Sequence, residues 1–119
     1  MSKTTIRVNQ LMTLNEYQEE AEVTAVYPEE RNIIYPTLGL TGEAGEVADK
    51  VKKVMRDKEW TFDDQTKIDI ALELGDVLWY VSILARDLGM SLENIAEMNI
   101  AKIRSRQARG MLGGSGDHR

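Results

Sequence analysis

Two stretches of this chain, "GLTGEAGEVADKVKK" at residues 39–53 and "LELGDVLWY" at 72–80, each place two carboxylates three residues apart among apolar neighbours. Residues three apart on a helix share a face, with Cβ atoms about 5–6 Å from one another. Glu43 with Glu46, and Glu73 with Asp76, therefore each form a pair of acids pointing one way. A lone E-x-x-E is commonplace on a solvated face and has little specificity. The flanks argue against that here: Leu72, Leu74, Gly75, Val77 and Leu78 imply a mostly buried segment, where unpaired charge is expensive.

The rest of the pattern is helical. Thr13 and Glu16 have capping-box spacing before "LNEYQEEAEVTAVY", and Pro28 is expected to end that helix. Pro28 and Pro36 bracket a connector. A second helix is expected from Thr37 to about Lys58, with Leu40, Ala44, Val47, Val51 and Val54 at helical spacing. Gly42 and Gly45 weaken it by about 1 kcal/mol each. They imply either close helix packing or room for a ligand beside the acids. "DKEWTFDD" is a linker, a third helix runs from about Asp63 to Leu88, and Gly89 stops it.

Apolar residues line two faces of that third helix: Ile68, Ala71, Leu72, Leu78 and Ala85 on one, and Ile70, Leu74, Val77, Val81, Leu84 and Leu88 on the other. Both faces need cover, and in a chain with four helices the second cover is expected from another subunit. Ser91 opens the fourth helix and Gly110 ends it. With no alternating β-branched run, the expected fold class is all-α, a four-helix bundle over residues 1–110 whose core is completed by oligomerisation, followed by a glycine-rich flexible tail at 111–119.

At 119 residues there is room for one domain. A net charge of −5 argues against a nucleic-acid polymer as partner. Lys102, Arg104, Arg106, Arg109 and Arg119 nevertheless make the C-terminal end basic. The absence of cysteine removes disulfides and thiolate metal sites. No signal-like or membrane-spanning run is evident, and the expected location is the cytoplasm.

If the second and third helices pack antiparallel, the two acid pairs face each other. Four close carboxylates repel strongly, and a divalent cation resolves the conflict. All-oxygen ligation selects Mg2+, with Mn2+ as a substitute. Di-iron bundles need Glu-x-x-His motifs and zinc hydrolases need His or Cys ligands, whereas the one histidine is His118 in the tail. A phosphate-binding G-x-x-x-x-G-K-[ST] loop is absent. Mg2+-assisted chemistry on a phosphate-bearing substrate survives.

The E-x-x-E of "GEAGEVADKVKK", the E-x-x-D of "LELGDVLWY" and the later "NIAKIRSR" together resemble the MazG-like all-α nucleoside triphosphate pyrophosphohydrolases over roughly residues 12–110. The tail is similar to those of short single-domain bacterial and phage members. The resemblance implies hydrolysis of (deoxy)nucleoside triphosphates to monophosphate and pyrophosphate, by a homodimer or homotetramer. It implies Glu43, Glu46, Glu73 and Asp76 as metal ligands, with Glu43 favoured over Glu46 to orient or deprotonate the attacking water. Asn99 and Lys102 would contact phosphate or sugar, and Arg106 would reach substrate. Lys53 could do the same or simply pair with Asp49 four residues earlier. Tyr35 and Leu38, just before the first acid pair, are the chosen base contacts from a set that includes Trp60, Trp79 and Tyr80. Phosphoribosyl-ATP pyrophosphatase activity and a non-catalytic nucleotide-sensing module are the alternatives.

Overall fold

Thr13 opens the first helix as its spacing requires. Its hydroxyl accepts from the Glu16 amide at 3.1 Å, and the Glu16 carboxylate accepts from the Thr13 amide at 2.9 Å. The computed structural model describes residues 11–110. Among them the regular elements are α1 (Leu14–Val23), a 3-10 turn at Glu29–Arg31, α2 (Ile34–Asp57), α3 (Asp64–Asp87) and α4 (Leu92–Ala108), with no strand. The tail expected at 111–119 lies outside the described residues.

Local chemistry explains most boundaries. Asp63 caps α3 by accepting from the Thr66 amide at 2.8 Å, and Ser91 caps α4 by accepting from the Asn94 amide at 3.0 Å. Gly89, at φ 76°, ends α3. The Met90 amide reaches the Ala85 carbonyl at 2.9 Å and the Gly89 amide reaches that of Arg86 at 2.8 Å, the paired closure that a left-handed residue permits.

Two expected boundaries are corrected. The first helix stops at Val23, well before Pro28, because the Thr24 amide and hydroxyl both turn back onto the Ala21 carbonyl. The second begins at Ile34 rather than Thr37. Pro36 sits inside its first turn, where the missing N–H has no intrahelical partner to lose.

The most extensive packing joins α2 to α3. The pair is antiparallel: Lys58 meets Thr66 at 2.9 Å, and Lys50 meets Glu73 at 3.7 Å. Farther along, Gly39 abuts Tyr80. Across one end lies α1, held by Gln18. Its buried amide donates to the Ser82 and Met90 carbonyls at 3.2 and 3.1 Å and accepts from the Leu92 amide at 3.0 Å. Gln18 thus ties α1 to α3, to the turn that follows it and to the start of α4, where it satisfies the Leu92 amide that a helix N-terminus leaves orphaned.

Among the described residues the buried apolar ones are few: Ala21, Pro36, Val54, Ile83, Ala85 and Leu92. The segment around the second acid pair is not enclosed within one chain, contrary to the expectation of a mostly buried stretch. Leu72 and Leu74, one from each apolar face of α3, are 56% and 53% exposed, so contacts within one chain leave part of both faces bare.

Candidate active site

The antiparallel register turns the acid pairs toward each other. Carboxylate oxygens of Glu43, Glu73 and Asp76 lie within 4.8 Å of one another, two of these residues half-buried and Asp76 exposed. Glu46 is exposed and stands outside this trio, one turn farther along α2. It still contributes to the field. Partial desolvation pushes the Glu43 carboxyl up from its ordinary value, and the charges of Asp76, Glu73 and Glu46 push it further.

Lys50, which the sequence reading passed over, supplies a cation to this ring of acids by pairing with Glu73. Lys53 points elsewhere and pairs with Asp49 at 2.8 Å, the structural option that its spacing offered. An added Cβ at Gly42 or Gly45 would meet nothing within 4 Å. These glycines are uncovered, and the option of close helix packing is not realised among the described residues.

Glu43 and Asp76 line a cleft of about 310 Å³ together with Trp79 and Tyr80. The two aromatic rings meet edge to face at 4.9 Å between centroids. The Trp79 indole donates to the Thr24 hydroxyl at 2.9 Å, fastening one wall to the end of α1. Tyr80 lies so close to α2 that a Cβ on Gly39 would overlap its ring. Burial raises the Tyr80 phenol, followed by hydrogen bonding with Tyr35 and the charges of Glu43 and Asp76.

Tyr35 stands behind Tyr80, with centroids 6.4 Å apart, and Leu38 is 68% exposed. Trp60 projects from the α2–α3 connection, also largely exposed. Trp79 and Tyr80, considered in the sequence but set behind Tyr35 and Leu38, are the rings that adjoin the acids. Their places three and four residues after Asp76 were the available signal, because that spacing keeps them on the acid-bearing face.

On α4, Asn99 and Lys102 line a separate cleft of about 250 Å³ with Ile95 and Met98. Arg106, farther along the same helix, is buried at 6% exposure. Within one chain these residues are not brought to the acid cleft. Chemically, the acid cleft combines a hard-oxygen donor set with a wall of aromatic faces. That pairing suits a cation-neutralised phosphate chain attached to a flat ring.

Residues 35–111 match the family model described as the MazG nucleotide pyrophosphohydrolase domain. The chain is also 43% identical over 114 residues to the Gene 37 protein of Mycobacterium phage L5, a match covering 91% of this chain and 100% of the relative. No solved structure matches. The matched span contains both acid pairs and the cleft between them, and the chain belongs to the MazG nucleotide pyrophosphohydrolase family.

Proposed function

We propose that this chain is a Mg2+-dependent nucleoside triphosphate pyrophosphohydrolase, cleaving between the α- and β-phosphates. The observation that carries the reading is the convergence of Glu43, Glu73 and Asp76 within 4.8 Å beside an aromatic-walled cleft. An all-carboxylate set fits a hard divalent cation, and the adjoining cleft of about 310 Å³ leaves room for substrate. Glu43, Glu46, Glu73 and Asp76 would hold the ion. When bound, Mg2+ neutralises triphosphate charge and favours departure of pyrophosphate. Glu43, which lines the cleft, would orient a water toward the α-phosphorus and take its proton. Trp79 and Tyr80, backed by Tyr35, offer faces to the base.

The active form is proposed to be a homodimer or homotetramer. The exposed leucines of α3 support this, as does the separation of Asn99 and Lys102 from the acids within one chain. No helix among the described residues is long and apolar enough to cross a membrane.

The test is a panel of ribo- and deoxynucleoside triphosphates with Mg2+, with products separated by chromatography. Monophosphate plus pyrophosphate is expected, and diphosphate plus phosphate would refute the assigned bond. Glu46→Gln and Asp76→Asn should each abolish turnover while raising the metal-free melting temperature, since each removes one repelling charge. Full activity in either variant would remove that residue from the ligand set.

A further inference from the structure

Far from the acids, at the C-terminal end of α3, Asp87 has its side chain 1% exposed and fully engaged. One oxygen accepts from the Tyr27 hydroxyl at 2.6 Å and from the Ile33 amide at 2.8 Å. The other accepts from the Arg86 guanidinium at 3.0 and 3.1 Å. Arg86 also donates to the Tyr27 hydroxyl at 3.0 Å. So dense a set of charge-assisted hydrogen bonds holds its members closely.

What Asp87 holds is strained. Ile33 has φ 69° and ψ −54°, and the Ile34 amide bonds back to the Asn32 carbonyl at 2.7 Å. This is a γ-turn of the rarer hand. A β-branched residue in that conformation persists only where its surroundings enforce it. The turn launches α2 and determines where Tyr35, in its first turn, must lie. The Tyr35 ring stacks on Tyr27 at 4.8 Å between centroids, with 29° between planes. Tyr35 in turn braces Tyr80 at 6.4 Å, and Tyr80 is a wall of the cleft. A continuous row of side chains thus runs from Asp87 through Tyr27 and Tyr35 to Tyr80. Gly39 leaves the space in which Tyr80 presses against α2.

We propose that Asp87 and Tyr27 are positioning residues for the base-binding wall: by enforcing the turn at Ile33 they hold Tyr35 against Tyr80, which presents a fixed face to the planar ring of the substrate. This rests on the nucleotide-hydrolysing reading above. It adds that base affinity is set by groups that touch neither the base nor the acids. Tyr27→Phe keeps the ring stack and removes only the hydroxyl, whereas Asp87→Asn removes the charge.

The experiment measures steady-state kinetics of both variants with the best triphosphate from the panel, and inhibition by inorganic pyrophosphate, a product without a base. For Tyr27→Phe the KM should rise about tenfold, equivalent to about 1.4 kcal/mol, with kcat within about twofold and pyrophosphate inhibition unchanged. Asp87→Asn should shift KM in the same direction and farther. An unchanged KM in folded Tyr27→Phe, with only a lower melting temperature, would reduce the network to a structural clasp and overturn the proposal. An equal weakening of pyrophosphate inhibition would overturn it too, by tracing the effect to the acids. Should Asp87→Asn fail to fold, Tyr27→Phe decides alone. If the wild-type protein hydrolyses no triphosphate, the underlying reading fails before any variant is compared, and this proposal falls with it.

Discussion

Glu43 and Asp87 are both carboxylates at the α2–α3 hairpin, with opposite fates. Glu43 is raised by desolvation and three acidic neighbours. Burial alone would raise Asp87 as well, but hydrogen bonds from Tyr27, Ile33 and Arg86 outweigh it and hold the carboxyl below its ordinary value. Tyr27 moves the other way, pushed up to about 12 by burial first and then by Asp87. The signs predict two edges to stability. Asp87 binds its proton less tightly when folded, so its contribution is present above its unfolded value and is lost as pH falls through the lowered folded value. Tyr27 binds its proton more tightly when folded, so its contribution is complete below pH ~10 and is lost as pH rises toward about 12. Thermal melts across pH should show the alkaline edge move in Tyr27→Phe, and tyrosinate absorbance should lose its latest-titrating component. The acid pairs were legible because their partners lie three residues away. Asp87 was not, because Tyr27 and Ile33 are 60 and 54 residues distant.

At the scale of elements, Gln18 carries more than its place in a polar-looking helix suggests. Replacing it with Ala would strand the buried Leu92 amide and remove a donor from the Ser82 and Met90 carbonyls. Leaving such groups unsatisfied costs about 1–3 kcal/mol in stability. Denaturant unfolding of Gln18→Ala should show that loss with little change in slope. The capping box at Thr13, the caps at Asp63 and Ser91 and the stop at Gly89 were all readable, because each is chemistry within a few residues. Helix edges that depended on competition were misjudged. Thr24 turned α1 off before Pro28 could, and Pro36 was absorbed into a first turn. Gln18 has no local signature at all.

For the whole molecule, the two apolar faces of α3 were legible as a periodicity, and the bareness of Leu72 and Leu74 is its structural counterpart. Fully burying a leucine side chain is worth about 1.5–3 kcal/mol, so a second copy covering either leucine would stabilise both chains. Light scattering coupled to gel filtration should give two or four chains per particle. Leu74→Glu should lower that number, with a parallel fall in melting temperature.

The bond from Trp79 to Thr24 links the cleft to the shortest α-helix among the described residues. Ten residues are too few to stay helical in water without docking, so α1 should be among the first segments to open locally. When it opens, Thr24 leaves and the Trp79 indole loses its anchor. Amide exchange in α1 and reorientation of that indole should then report one shared equilibrium, making the breathing of a peripheral helix the clock of the cleft.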